Sequence, residues 1–146
     1  MKTFYLDCEF NGFGGDLISL ALASEDGKNN FYVVLPYKHL ALDPWVEKHV
    51  IPILHKEAVL TNNVAAQMLS SFLIANAIGN QVKIVADWPD DFKHLCELLV
   101  VGPGVSVTTP NLTMVMDRVG LVDTSTYSKI PHNALEDAIA LAKGAQ

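Results

Sequence analysis

The chain has 146 residues, of which 50% are hydrophobic, and a net charge of -6. These values predict a single domain, residues 1–146, that buries a well-packed core. The acidic balance argues against non-specific binding of duplex nucleic acid through a basic surface, although a carboxylate cluster that holds metal ions would itself add negative charge. The sequence has no apolar run near the roughly 18 residues of a membrane span, so no membrane partner is expected.

The two cysteines, Cys8 and Cys96, have a spacing that fits neither a zinc site nor a disulfide framework. Each falls on the apolar side of a predicted element, so we expect two buried thiols and a cytoplasmic location. The chain enters its first strand at Phe4, which leaves no room for a signal peptide.

The first part of the chain predicts an antiparallel meander of three strands. Apolar β-forming residues at 4–10, 17–23 and 31–35 are separated by short turn signals. The glycine-rich turn at 11–16 lacks the spacing of a phosphate-binding loop and instead predicts a hairpin.

Helical patterns begin after residue 42. Asp43 followed by Pro44 is a favoured helix start. Thr61 or Asn62 is expected to cap a longer helix that ends at residues 79–80. The predicted buried stripe of this second helix is Val64, Met68, Leu69, Phe72 and Leu73.

Strands and helices alternate in the second half of the chain. A buried strand at 82–86 leads into a third helix, whose predicted core face is Phe92, Leu95, Cys96 and Leu99. Strand segments are expected at 105–107 and 112–116, residues 117–131 receive no assignment, and Asn133 with Glu136 forms a capping box for the last helix. The predicted buried face of that helix is Leu135, Ala138, Ile139 and Ala142.

This order of elements predicts an α/β protein. A mixed central sheet would begin with the antiparallel meander and carry helices packed on it. The ribonuclease H-like fold has this order.

Asp7 and Glu9 form an acidic pair on the first strand. Because side chains alternate across a strand, the two carboxylates share one face. Placing them in an otherwise apolar strand is costly unless a cation lies between them, and Mg²⁺ prefers oxygen ligands of this kind.

The remaining candidate acids lie at helix starts. Asp91, with Asp87 and Asp90 beside it, opens the third helix, and Asp137 lies five residues after His132 in the first turn of the last helix. Each of these residues has an ordinary explanation when taken alone. A helix dipole favours acids in the first turn, and a histidine before an N-cap is usually a surface residue.

Together, three sequence blocks resemble the DEDDh 3′-to-5′ exonuclease family, which includes ribonuclease T, oligoribonuclease and the proofreading subunits of replicative polymerases. The blocks are Asp-x-Glu-Phe at 7–10, an Asp with a Leu four residues later at 91–95, and His-x-x-x-x-Asp-Ala at 132–138. They occur in the family's order, and the last block is the most specific. The first is most similar to a branch of small, stand-alone exoribonucleases.

The resemblance implies a metal-dependent exonuclease domain that releases nucleoside 5′-monophosphates from the 3′ ends of single-stranded RNA or DNA, with RNA favoured over DNA. It implies that Asp7, Glu9, Asp91 and Asp137 ligate two Mg²⁺ or Mn²⁺ ions and that His132 is the general base. Two ions about 4 Å apart can clamp the attacking and leaving oxygens of an in-line displacement. A histidine titrates near neutrality, so it can take a proton from the attacking water.

Four residues are candidates for substrate contact: Phe10, Asn11, Asp87 and Trp88. Phe10 is placed either to stack on the terminal base or to join the core, and Trp88 is a second stacking candidate. Members of the family are often homodimers, so the resemblance also leaves room for a second copy of the chain as a partner.

The middle block departs from the family pattern. The family commonly has Asn-Ala-x-Phe-Asp there, whereas this chain has Asp87-Trp88-Pro89-Asp90-Asp91, so Asp87 and Asp90 are alternative ligands. Two other functions remain open. One is a catalytically silent ribonuclease H-like module that binds nucleic acid or a protein, and the other is a metal-dependent phosphohydrolase of free nucleotides.

Overall fold

The computed structural model describes residues 1–54, 57–118 and 120–144. Its strands are β1 (Lys2–Phe10), β2 (Leu17–Ser24), β3 (Asn30–Val34), β4 (Gln81–Ala86), β5 (Val100–Gly102), β6 (Val105–Ser106) and β7 (Asn111–Met116). Five of them form one mixed sheet in the order β3-β2-β1-β4-β7. The meander β1-β2-β3 is antiparallel, β4 runs parallel to β1 and β7, and β5 pairs with β6 in a separate hairpin.

Helices cover both faces of this sheet. They are α1 (Pro44–His49), α2 (Asn62–Asn76), α3 (Pro89–Leu99), α4 (Thr124–Tyr127) and α5 (Ala134–Gly144), with a 3₁₀ turn at Ile51–Ile53. The prediction of an α/β protein with a mixed sheet and an initial meander is confirmed. None of the helices in the described parts of the chain is long and apolar enough to cross a membrane.

Two apolar cores place β1 between the helix layers. Phe4 and Leu6 pack with Leu69 of α2 and Leu95 of α3 on one side. Tyr5 packs with α5 on the other side. Because side chains alternate, Asp7 and Glu9 follow Tyr5 onto the α5 side of the sheet.

The predicted face of α2 is wrong in part. Val64 and Met68 are about half exposed, at 48% and 47%. The residues that α2 buries are Ala65, Ala66, Leu69, Ser70 and Leu73. Small alanines let the helix axis approach the sheet closely, so the buried stripe follows them rather than the largest side chains. The helix also ends at Asn76, earlier than predicted.

The predicted face of α3 is rotated relative to the observed one. Cys96 is exposed, so its predicted burial is wrong, whereas Cys8 is buried as expected. His94, which the sequence placed outside the core face, is 3% exposed and its ring lies 4.8 Å from that of Phe10. The rotation brings Asp91 to the buried side, where it has a hydrogen-bond partner on β1.

The other helices follow the predicted starts more closely than the predicted ends or faces. The Asp43 side chain accepts the Trp45 and Val46 N–H groups and caps α1, which ends at His49 before the 3₁₀ turn. Asn133 caps α5 through its Oδ1, which accepts the Glu136 N–H at 3.1 Å. The buried face of α5 is mainly alanine: Ala134, Ala138, Ala140, Leu141 and Ala142 are apolar and buried there, and Leu135 and Ile139 are only partly buried. The unassigned segment 117–131 contains the short helix α4.

Candidate metal centre

The site begins where β1 and β4 separate. Their paired register ends at Tyr5 and Val85, so the last half of β1 has no β4 partner. There the Cys8 N–H donates to Asp91 Oδ1 at 3.1 Å. In this part of β1, a side chain at the start of α3 therefore takes the place of β4 as the hydrogen-bond partner. A register shift between Glu9 and Phe10 then breaks the regular pairing of β1 with β2, as bulges often do next to active sites.

One group of carboxylates forms at this separation. Asp7, Asp87 and Asp91 each offer a ligand oxygen within 4.8 Å of the others. Asp91 is only 2% exposed. Asp7 Oδ2 is buried and has no hydrogen-bond partner among the residues that the structure describes. A buried, unpartnered carboxylate oxygen is costly, and a bound cation would satisfy it.

A second group lies next to the first, where α5 begins. Glu9, His132 and Asp137 also offer ligand atoms within 4.8 Å of one another. Asp137 is buried, and its Oδ2 accepts the His132 N–H at 3.1 Å. His132 has a φ of 70°, a left-handed conformation that is uncommon for a residue other than glycine. The turn before α5 thus fixes the His132 backbone next to Asp137.

The electrostatics of both groups follow from burial among like charges. Burial raises the pKa of Asp7 well above its usual range, and the Asp91 and Glu9 carboxylates raise it further. Burial with the Asp137 and Asp91 charges raises the pKa of Glu9 to about 9. Burial and Asp87 raise the pKa of Asp91 to about 8, and burial raises that of Asp137 to about 6. These carboxyls cannot all ionise near neutrality unless cations join them.

The three acids of the middle block have different surroundings. Asp87 and Asp91 meet Asp7, as described above. Asp90 instead accepts the Trp88 indole N–H through Oδ2 at 3.1 Å. The Arg118 guanidinium lies 5.0 Å from the Trp88 ring centroid. Asp90 therefore belongs to the surroundings of Trp88 rather than to either carboxylate group.

An aromatic cavity of about 470 Å³ opens beside Glu9. Its aromatic lining consists of Phe10, Phe13, Trp45 and Trp88. Phe13 is fully exposed, and Trp45 and Trp88 are about half exposed. Phe10 lines the cavity and also packs against the main core, so the two roles considered for it are compatible. The cavity offers flat apolar surfaces next to the acids.

Asn11 lies at the turn that follows Glu9. Its Oδ1 accepts the Asp43 N–H at 2.8 Å, and its Nδ2 donates to the Ala41 carbonyl at 2.9 Å. The Asn11 side chain therefore ties the β1–β2 turn to the start of α1.

Sequence reasoning missed Trp45. Its ring centroid lies 4.9 Å from that of His132, with an interplanar angle of 81°. In the sequence, Trp45 has only the signature of a helix start, and nothing local relates it to the last helix. Only the folded chain brings the two rings together.

The donor set fits hard divalent cations such as Mg²⁺ or Mn²⁺. Five carboxylates supply oxygen ligands, and the buried Asp7 Oδ2 lacks a partner among the described residues. A divalent cation would favour the ionised form of these carboxyls, which burial opposes. One imidazole at the edge of such a site can hold or transfer a proton. The sequence matches no protein-family model and no curated protein.

Proposed function

We propose that this protein is a metal-dependent 3′-to-5′ exonuclease with a ribonuclease H-like fold, acting on single-stranded ends, of RNA rather than DNA. The observation that carries the proposal is the meeting of Asp7, Asp87 and Asp91 beside Glu9, His132 and Asp137. These two groups are drawn from β1, the segment after β4, α3 and the start of α5. The sheet order and the antiparallel meander support the fold assignment.

Two Mg²⁺ or Mn²⁺ ions would be held by Asp7, Glu9, Asp91 and Asp137. Asp87 belongs to the same group as Asp7 and Asp91, so it could contribute a further ligand. When bound, the ions would supply positive charge that offsets the carboxylates and polarises the phosphodiester. The carboxylates would thereby keep their ionised form at neutral pH.

His132 is the residue that would handle the proton. It lies in the Glu9 group, and its backbone is fixed by the Asp137 carboxylate. The imidazole accepts a proton from the attacking water, whose oxygen forms a bond to phosphorus. The bond between phosphorus and O3′ of the penultimate nucleotide breaks, and that oxygen takes a proton from solvent. The terminal nucleotide leaves as a nucleoside 5′-monophosphate.

The aromatic cavity would hold the terminal base. Phe10 and Trp88 present ring surfaces, and stacking on such rings tolerates any base. A cavity of about 470 Å³ is large enough for one or two bases and not for a long duplex. Together with the net charge of -6, this favours a short grip on a single-stranded end.

The test is a time course on 5′-labelled single-stranded RNA and DNA with Mn²⁺. We expect a ladder that shortens from the 3′ end, faster on RNA, and that disappears with EDTA. Asp7→Asn should slow it by roughly 100-fold or more, since even indirect partners of a metal site cost 10–100-fold. Glu57 is exposed and belongs to neither carboxylate group, so Glu57→Gln removes the same charge and should leave the rate unchanged.

Two outcomes would replace the proposal. Binding of Mn²⁺ without degradation of either nucleic acid would favour a silent binding module. Hydrolysis of mononucleotides but not of oligonucleotides would favour a nucleotide phosphohydrolase.

A further inference from the structure

We propose that Trp45 is a positioning residue that holds the His132 imidazole in place beside Glu9 and Asp137. This inference rests on the proposed function, because it assigns Trp45 a role through the general base. The two rings meet edge to face, with centroids 4.9 Å apart and planes at 81°. Edge-to-face contact is a preferred arrangement of aromatic rings.

The His132 side chain needs such a support. The Asp137 carboxylate fixes the His132 backbone through its N–H, but it leaves the side-chain torsions free. His132 also lies in the turn before α5, outside the helix, where no neighbouring helical turn restricts its rotamer. The Trp45 ring is an aromatic contact that limits where the imidazole can lie.

Trp45 is itself held firmly enough to act as a support. Asp43 Oδ1 accepts the Trp45 N–H at 2.9 Å, and Asn11 holds Asp43 through its N–H at 2.8 Å. The next residue, Val46, is buried. The Trp45 ring also lies 4.9 Å from the His49 ring, with an interplanar angle of 34°. The tryptophan is thus fixed from its backbone and from its neighbouring ring.

The same hydrogen bonds connect both sides of the site. Asn11 stands two residues after Glu9 and anchors the start of α1. Asn133, next to His132, donates from Nδ2 to the Ile53 carbonyl at 2.9 Å, just after α1. Helix α1 and the following 3₁₀ turn are therefore fastened to the strand that carries Glu9 and to the turn that carries His132. Trp45 lies on this connecting segment.

Trp45 also lines the aromatic cavity, so stacking on the substrate base is the competing role. The two roles differ in what they change. If Trp45 positions the general base His132, its loss impairs the chemical step and lowers kcat. If Trp45 stacks on the nucleic-acid base, its loss weakens substrate binding and raises KM. A support that works through His132 also loses its effect once His132 is removed.

The experiment is a double-mutant cycle on oligonucleotide hydrolysis with Mn²⁺. We expect Trp45→Ala to lower kcat by about 10- to 100-fold with little change in KM, because misplacing a catalytic group by about 1 Å costs up to 100-fold. Trp45→Phe, which keeps an aromatic ring, should recover most of kcat. In the His132→Ala background, Trp45→Ala should change kcat no further.

Trp88→Ala is the matched control. Trp88 lines the same cavity and has nearly the same exposure as Trp45, 48% against 50%. Its loss should raise KM equally whether or not His132 is present. If Trp45→Ala raises only KM, or lowers kcat as much without His132 as with it, Trp45 does not act through His132 and the inference is wrong.

An activity-independent measurement separates this inference from the proposed function. The Trp45 ring should shift the NMR resonances of the His132 ring protons, and Trp45→Ala should remove that shift while Trp88→Ala leaves it. Absence of a Trp45-dependent shift would overturn the inference even in an active enzyme. A wild-type protein that shows the shift but degrades no nucleic acid would instead overturn the proposed function.

Discussion

The Asp91 side chain serves the fold and the site together. Its Oδ1 accepts the Cys8 N–H and so provides a hydrogen-bond partner in the part of β1 that β4 leaves unpaired. The same carboxylate belongs to the group formed with Asp7 and Asp87. An amide at position 91 would keep an oxygen acceptor for Cys8 but lose the negative charge. Asp91→Asn therefore separates the structural role from the binding of cations.

We predict that Asp91→Asn weakens Mn²⁺ binding by at least about 10-fold. Mutation of a residue that only hydrogen-bonds a metal ligand already costs about 10- to 100-fold in metal affinity, and loss of a ligand's charge should cost at least as much. Asp90→Asn should leave the affinity unchanged, because Asp90 is bonded to the Trp88 indole and lies outside both groups. Calorimetric titration of each variant measures the Kd. A loss in Asp90→Asn with none in Asp91→Asn would assign the ligand to Asp90 instead.

The Asp7 side chain carries a charge that is costly without a cation. Its Oδ2 is buried without a partner in the described part of the chain, and its pKa is raised by burial and by neighbouring acids. In EDTA at about pH 8, Asp7→Asn should raise the free energy of unfolding by at least about 1 kcal/mol, because an unpaired buried charge costs more than an unpaired buried amide. Urea unfolding measures this difference.

With Mn²⁺, the wild type should become more stable than Asp7→Asn, the reverse of their order in EDTA. Ions that bind only the native state stabilise it, so the wild type should gain stability and Asp7→Asn should gain much less. The exposed Glu57→Gln is the control and should follow the wild type in both conditions. An Asp7→Asn protein less stable than the wild type in EDTA would show that the carboxylate is already compensated within the protein.

At the scale of the elements, local signals predicted the strands and the helix starts. The alternation of β1 correctly placed Asp7 and Glu9 on one face, and Asp43 and Asn133 cap their helices as expected. The buried faces of α2 and α3 were harder, since partners distant in sequence decide them. Helix α3 places Asp91 where it accepts the Cys8 N–H and leaves Cys96 exposed, and no pattern within the helix predicts this bond.

The candidate site likewise combines residues that the sequence indicated with contacts that only the fold creates. Each acid was visible in the sequence, but only the resemblance to a family grouped them, and the contact of Trp45 with His132 had no local signal. Phe10 and Trp88 were predicted as stacking candidates, but the cavity that they form with Phe13 and Trp45 was not predicted, for the same reason. Its lining comes from β1, the turn after it, α1 and the start of α3, which the fold alone brings together.

Helix α1 provides a test at this scale, because one side chain sets its start. Asp43 Oδ1 accepts the Trp45 N–H at 2.9 Å, and that of Val46 more weakly at 3.4 Å. Asp43→Ala should destabilise the protein by about 1 kcal/mol, the usual value of an N-cap. For a chain of this length, that lowers Tm by about 2–4 °C.

Asp43→Asn is the matched control for this prediction. Asparagine caps helices about as well as aspartate, so its Tm should stay close to that of the wild type. Equal losses in the two variants would mean that the charge of Asp43, and not its capping bonds, stabilises α1.

In the whole molecule, the candidate site joins the two ends of the chain. Asp7 and Glu9 lie on the first strand, and Asp137 lies on the last helix, which packs against that strand and against β2. Without cations, like charges are concentrated where these elements meet. The site therefore couples the stability of the whole fold to protons and to metal ions.

The pH dependence of stability follows from the raised pKa values. In the unfolded chain, Asp and Glu titrate near pH 4. In the metal-free native protein, the pKa is about 6 for Asp137, about 8 for Asp91 and about 9 for Glu9. Between these limits the native state holds protons that the unfolded chain has released. Stability in EDTA should therefore be highest near pH 4–5 as far as these groups are concerned, and should fall as pH rises towards about 9.

Metal ions should oppose this fall. They compete with protons for the same carboxylates, so the gain in Tm on adding Mn²⁺ should be small near pH 5 and should grow towards about pH 8. Thermal unfolding at a series of pH values, with EDTA and with Mn²⁺, measures both trends. Asp7→Asn should show a flatter decline in EDTA, because it removes one of the groups whose raised pKa causes the decline. A metal-free stability that stays constant or rises across this range would mean that the acids are not held together as the structure places them, and the metal centre would lose its physical basis.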